Sequence, residues 1–423
     1  MDSTSKGRQL VLGIQMLFVA FGALVLVPLL TGLDPSIALF TAGAGTLLFH
    51  AITGGKVPIF LASSFAFIAS ISFAMKQYGP GATSGALFCA GLVYLIFSGM
   101  ALVGGREMLN RYLPPIVTGP VIMVIGLKLA PVAVGMTKSF DGSGCVDGRA
   151  MALAACSLLT AVVAVMFGKK LFSLIPILCG IVVGYVVALA MGVVDFAPVR
   201  AASWFQVPWS LAMEKGSFAM PAFDWAAILY MLPVALAPAI EHVGDILAIS
   251  SVTGKDYLKD PGLHRTLLGD GLATSLAGIL GGPPNTTYSE VTGAVALTKA
   301  YDPALMRIAA VAAMVLAFAG KLGAILLTIP GPVMGGIMLL LFGMIAAIGV
   351  NSLVRAHVDM SRSRNLVVAS VILTTGIGDM TFSCGRFCLG GIGLAGLIGV
   401  LLNLVLPGTN ESHAEETGER KNP

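Results

Sequence analysis

Residues 10–30, LVLGIQMLFVAFGALVLVPLL, run without a single charged side chain. A helix of about 20 apolar residues is long enough to span the roughly 30 Å of hydrocarbon in a bilayer. Similar stretches recur along all 423 residues, of which 57% are hydrophobic and only 11% charged. A soluble domain carries roughly 25% charged residues, so the chain reads as an all-α polytopic membrane protein in direct contact with lipid. The basic tip before the first stretch has the look of a signal peptide, but the apolar run is too long for one and reads as a retained first helix. A net charge of +4 without a polybasic run gives no footprint for nucleic acid. The absence of a GxxxxGK[ST] string excludes a built-in ATPase. Cysteines 89, 145, 156, 179, 384 and 388 form no CxxC pair and have no histidine at zinc spacing, so most are read as small core residues and no metal or cofactor is expected.

Apolar stretches between charged or Pro/Gly breaks fall at 10–30, 35–53, 57–75, 81–103, 113–136, 149–168 and 171–194. After a segment at 195–224 rich in Trp, Pro and charge, others follow at 225–250, 266–281, 284–299, 303–326, 332–351, 365–378 and 390–407. That makes fourteen spans in two blocks of seven. With both termini inside, most Lys and Arg, among them Lys56, Arg106, Lys169, Lys255, Arg265, Arg307 and Arg364, lie on the inner side, as the positive-inside rule requires; Lys128 lies within a span. A block of seven crosses an odd number of times, so homologous blocks would form an inverted repeat. PIVTGPVIMVIG from Pro115 and PVMGGIMLLLFG from Pro332 carry a trace of one, sharing Pro-x3-Gly-x6-Gly.

The third span of each block is a poor helix. KVPIFLASSFAF (56–67) and GGPPNTTYSEVTGA (281–294) gather Pro, Gly, Ser, Thr and Asn at a depth where lipid-exposed backbone must saturate its own hydrogen bonds. Interrupted spans at matching positions point to a transporter's site near the midplane, where half-helix N-termini offer free N–H donors. The acidic residues sit in loops or at helix ends except Glu241, Asp245 and Glu290, with Asp270 near the inner end of its span. A carboxylate in the bilayer is costly and marks function by default. Glu241 and Asp245, four residues apart, share a helix face; His242 points elsewhere, toward a carbonyl or another helix. Glu290 belongs to the second broken segment. If these acids converge, desolvation and like-charge repulsion oppose full ionisation, and the cluster is expected to hold a proton whose release couples to transport. Carboxylate acceptors with amide donors suit a neutral planar ring bearing N–H and C=O groups, such as a nucleobase.

FGALVLVPLLTGLDPSIALFTAGAGTLLF, GGKVPIFLASSFAFI, IEHVGD, DPGLHR, PNTTYSE and IPGPVMGG together make the chain similar, from about residue 8 to 407, to the nucleobase-ascorbate transporter (nucleobase:cation symporter-2) family, and within it to bacterial uracil:proton symporters. The resemblance implies a core domain of helices 1–4 (10–103) and 8–11 (225–328) and a gate domain of helices 5–7 (104–194) and 12–14 (329–407). The segment 195–224 becomes an extracytoplasmic linker, 1–9 and 408–423 cytoplasmic ends, and helices 3 and 10 carry short antiparallel strands. It further implies that Glu241 and Glu290 accept hydrogen bonds from ring N–H groups. The amides of Phe65 and Ser289 would donate to ring carbonyls, Phe65 and Tyr288 would shape the pocket, and Ala23 would line the site. Glu241 and Asp245 are the expected proton-coupling residues. Two positions depart from the uracil-carrier pattern: Asp245 stands where His is usual, and Val291 where Asn is usual. Asp245 resembles the purine branch and Glu290 the uracil branch.

The expected function is therefore proton-coupled uptake of a nucleobase, foremost uracil, by core-against-gate movement in a homodimer in the bacterial inner membrane. A purine-base symporter of the same family is the first alternative. An anion carrier of the sulfate/bicarbonate type shares the architecture by analogy but calls for a basic or neutral residue where Glu290 stands. A membrane-embedded hydrolase would need HExxH, a Ser/His pair or an aspartyl dyad, and only the last has any counterpart in the acid cluster.

Overall fold

The computed structural model describes residues 6–140, 145–168, 172, 175–214, 216–384 and 387–407. The first five residues and the segment 408–423 lie outside the described residues. The first half runs α1 (Lys6–Thr31), α2 (Pro35–Ile52), β1 (Leu61–Ser63), a single 3₁₀ turn (Phe65–Phe67), α3 (Ile68–Gln77), α4 (Gly79–Tyr112), α5 (Pro115–Lys138), α6 (Gly148–Phe167) and α7 (Pro176–Ala190). Two short helices, α8 (Ala197–Ala201) and α9 (Pro208–Glu214), follow. The second half comprises α10 (Trp225–Met231), α11 (Leu236–Thr253), α12 (Leu263–Ile279), β2 (Asn285–Thr287), α13 (Ser289–Thr298), α14 (Ala304–Ala317) and α15 (Gly320–Leu327). It ends with α16 (Gly331–Arg355), α17 (Ser363–Ile377), β3 (Thr381–Cys384), β4 (Phe387–Gly390) and α18 (Gly391–Val405). Among the described residues, seven helical stretches are long and apolar enough to cross a membrane, and further apolar helices are shorter.

Local chemistry sets many of the ends. Asp34, Asp147 and Asp224 cap α2, α6 and α10 by accepting first-turn N–H groups, which accounts for acidic residues at helix starts. Pro115 and Pro176 open α5 and α7 at the position where a missing N–H costs nothing. Among the described cysteines, Cys89, Cys156 and Cys179 are half-buried and Cys145 is exposed, all free thiols; the side chains of Cys384 and Cys388 lie outside the described ones.

Two packing groups emerge. α12 lies along α4 and α2, α14 along α2 and α1, and α10 along α4; separately, α16 lies along α5 and α6, α17 along α5 and α18, and α6 along α7. The α5–α16 pair is antiparallel, since Gly119 meets Gly349 at one end while Met136 meets Gly335 at the other. A Cβ on Gly349 would sit 2.6 Å from the Gly119 carbonyl oxygen, so glycine is what lets the backbones approach so closely.

β1 and β2 pair antiparallel, Leu61 opposite Thr287 and Ser63 opposite Asn285, and Ser64 N–H donates to the Pro284 carbonyl at 2.9 Å. Each strand thus satisfies backbone of the other where neither segment is helical. Flanking helices hold them. The Thr46 hydroxyl accepts the Leu61 N–H at 3.0 Å and His50 Nε2–H donates to the Ile59 carbonyl at 3.1 Å. On the other strand, Asp270 Oδ1 accepts the Thr287 N–H at 3.0 Å, and the Thr274 hydroxyl donates to the Asn285 carbonyl at 2.8 Å.

The structure departs from the sequence reading in three places. The stretch 303–326 is two helices, broken at Phe318–Ala319, because the 195–224 segment reaches the break. Gln206 N–H donates to the Phe318 carbonyl at 3.0 Å, Gly320 N–H to the Trp204 carbonyl at 3.1 Å, and Lys321 Nζ to the Val199 carbonyl at 2.5 Å. The stretch 225–250 is interrupted by a 3₁₀ turn at Leu232–Ala235, where Pro233 withholds an N–H. A β3–β4 hairpin precedes the last helix. Beside it Lys128, which the sequence places within a span, pairs with Asp379 at 2.6 Å.

Candidate functional site

One cleft brings the two packing groups face to face. It is lined by Ser63, Ser64, Phe65 and Ala66 after β1, by Glu241 on α11, and by Thr286, Thr287, Tyr288, Ser289 and Glu290 from β2 into α13. Ile122 and Ile125 of α5 and Ile345 and Ile348 of α16 close the opposite side. Five residues singled out from sequence, Phe65, Glu241, Tyr288, Ser289 and Glu290, therefore lie in one place. Ala23 is wholly buried in α1 and is not among the lining residues.

Each lining group is placed by the break that carries it. Phe65 and Ser289 are the first residues of their helical segments, so their N–H groups have no partner within the helix and are available as donors. The rings of Phe65 and Tyr288 lie 6.3 Å apart, tilted by 38°. The Tyr288 hydroxyl lies in reach of Glu290 without hydrogen-bond geometry.

Behind the cleft is a buried polar layer. Asp245 is 4% exposed and accepts the Ser289 hydroxyl, so the residue four positions after Glu241 grips the segment that carries Glu290. His242 reaches another helix: its Nδ1 is 3.4 Å from Asp270 Oδ2, with the Thr287 hydroxyl also at 3.4 Å, and both members of the pair are fully buried. Glu241 stands within electrostatic reach of Asp245, Asp270 and Glu290. Four carboxylates thus crowd together at and behind the cleft, an arrangement that disfavours a bound anion. Among the described residues no group of His, Cys, Asp or Glu side chains is arranged to hold a metal ion.

Sequence reasoning missed the four isoleucines and the grip of Asp270 on β2. Isoleucine in an apolar helix carries no local signal. Asp270 did carry one, as a carboxylate inside a span.

Comparisons with known proteins give the family. The model of a permease family matches residues 7–384. A probable uracil permease of Haemophilus influenzae is 52% identical over 96% of this chain and 96% of its own. The uracil permease of Bacillus caldolyticus is 45% identical over 96% and 94%. Among solved structures, the transmembrane domain of the cyanobacterial bicarbonate transporter BicA superposes with a TM-score of 0.61 at 16% identity, covering 94% of this chain and 96% of that one, which is a likeness of fold alone. With its apolar helices, its paired broken segments and these relatives over nearly the whole length, the chain belongs to the nucleobase-ascorbate transporter (nucleobase:cation symporter-2) family of membrane permeases and is a transporter rather than an enzyme.

Proposed function

We propose that the protein imports uracil, or a close base, across the bacterial inner membrane together with a proton. The observation that carries this reading is the convergence of Glu241, Glu290 and the helix-start amides of Phe65 and Ser289 on one cleft. Glu241 and Glu290 accept the two ring N–H groups, the two amides donate to the two ring carbonyls, and Phe65 and Tyr288 flank the ring. Such a site pairs every polar atom of an uncharged base, and burying any of them unpaired would be costly. The relatives named as uracil permeases support the choice of base. Asp245, tied to Ser289, links the proton to the substrate segment: with a base bound, Glu241 and Asp245 hold one proton between them, and its loss to the inside accompanies release. The likeness to a bicarbonate transporter does not shift the substrate toward an anion, because Glu290 would oppose a negative charge. Asp245 keeps a purine base as the second reading.

Fourteen spans in two inverted repeats are supported by the packing. Exchanging each span for its counterpart in the other block turns the α2–α14 contact into α12–α4, α1–α14 into α10–α4, α6–α7 into α17–α18, and α6–α16 into α17–α5, all of which occur. The two packing groups are the core (10–103 and 225–328) and the gate (104–194 and 329–407). Core movement against the gate exposes the cleft to each side in turn, in a homodimer with both termini cytoplasmic. Uptake of a panel of labelled bases, with and without an uncoupler, tests the reading: uracil accumulation that collapses with the uncoupler is expected, and uracil accumulation indifferent to it would refute proton coupling. Glu290→Ala should abolish uracil binding, and a retained uracil-induced thermal shift would remove Glu290 from the pocket.

A further inference from the structure

We propose that four isoleucines on the gate side, Ile122 and Ile125 of α5 with Ile345 and Ile348 of α16, set how large a substituent the base carries on its carbon edge. The inference rests on the uracil reading above and deepens it. Around a uracil ring, N–H and C=O groups occupy four consecutive positions, and the remaining two carry only C–H. All the polar partners assigned to those four positions lie on α11, on the segment after β1 and on β2–α13, on one side of the cleft. The C–H edge is then turned across the cleft toward α5 and α16, whose lining side chains are these isoleucines and contain no polar atom.

The wall is stiff for identifiable reasons. Within each helix the two isoleucines are three residues apart and share a face. A β-branched side chain in a helix has one strongly preferred rotamer. Ile122 and Ile125 are 7% and 2% exposed, and Ile348, also a lining residue, is 41% exposed. The spacing between the helices is fixed by backbone contacts next to these same residues. A Cβ on Gly126 would sit 2.7 Å from the Ala346 amide nitrogen, and Gly119 faces Gly349. The two helices cannot part from each other to admit an added methyl without breaking that crossing. Recognition is thus divided between the two packing groups: hydrogen-bonding identity is read on one, size at the carbon edge on the other.

The test is competition against labelled-uracil uptake by unlabelled uracil, 5-fluorouracil, 5-methyluracil and 5-bromouracil in cells carrying the full chain. The reading is the ratio of half-inhibitory concentrations, 5-methyluracil to uracil. Ile345→Ala and Ile348→Ala should each lower this ratio about tenfold or more, the scale at which a pocket distinguishes one methyl group, and Ile348→Phe should raise it. Opposite shifts from opposite volume changes are not what a folding defect produces. For a variant that loses uptake, the same ratio is read from ligand-induced thermal shifts of the purified protein. A ratio within about twofold of the unmodified chain in all three variants, against that tenfold expectation, would overturn the inference with the uracil site intact. Absence of uracil uptake by the unmodified chain would instead remove the reading beneath it, and the inference with it.

Discussion

Asp270 is the buried group whose removal should reveal how the substrate segment is held. It is wholly inaccessible, and its Oδ1 accepts the Thr287 N–H at 3.0 Å, one residue before Tyr288 and three before Glu290. Asp270→Ala strands that buried donor, at a cost of about 1–3 kcal/mol. It also takes the carboxylate away from His242 Nδ1, 3.4 Å distant. At about 1.4 kcal/mol for each factor of ten, the loss weakens uracil binding about 5- to 150-fold if all of it falls on the placement of β2. Asp270→Asn keeps an oxygen where Thr287 needs one and exchanges a charged hydrogen bond for a neutral one, a difference of about 1 kcal/mol. The Asn variant should therefore bind about fivefold more weakly than the unmodified protein. Purified protein in detergent, titrated with uracil by calorimetry and melted with and without ligand, gives both numbers. An Ala variant that binds and melts like the unmodified protein, or an Asn variant more damaged than the Ala variant, would refute the reasoning.

Other perturbations test the packing. Gly349→Val drives side-chain atoms into the Gly119 carbonyl and should destabilise by about 1–3 kcal/mol as overpacking does; Gly343→Ala, with no atom within 4 Å of its new Cβ, should melt no lower than the parent. Asn403 is 2% exposed, donates to the Arg111 carbonyl at 3.0 Å and accepts from Arg364 at 2.8 Å. Asn403→Leu should cost about 2–3 kcal/mol through the broken hydrogen bonds, read as a lowered melting temperature. Trp209→Ala loses the bond to the Leu280 carbonyl at 2.9 Å and the edge contact with Phe40, and should cost about 3 kcal/mol as a large-to-small change, with unchanged melting counting against the 195–224 segment as a strap on α2 and α12.

The membrane class and most helices were legible because bilayer thickness acts on every span alike, and a run such as 10–30 has no other home. The carboxylates were legible because charge in hydrocarbon is conspicuous, and the breaks near Pro58 and Pro283–Pro284 because irregular backbone there needs a reason. What escaped depends on partners distant in sequence. The α14–α15 break lies in an apolar stretch that reads as continuous; its hydrogen bonds come from Trp204 and Gln206, more than a hundred positions earlier. Lys321 was a local warning, since an ammonium inside a span must find an acceptor, here the Val199 carbonyl. Lys128 gave the same warning, and its partner Asp379 lies in a loop after α17. The isoleucine wall gave none, because only the three-dimensional pairing of α5 with α16 distinguishes Ile345 from an isoleucine facing lipid.

The most direct test of proton coupling through the acid cluster uses proteoliposomes loaded with a pH-sensitive dye. Addition of uracil should acidify the lumen in the unmodified protein. Glu241→Gln, which keeps a hydrogen-bonding side chain but cannot exchange a proton, should still swap labelled for unlabelled uracil while leaving the dye unchanged. Uracil entry without acidification in the unmodified protein, or full acidification with Glu241→Gln, would contradict the account.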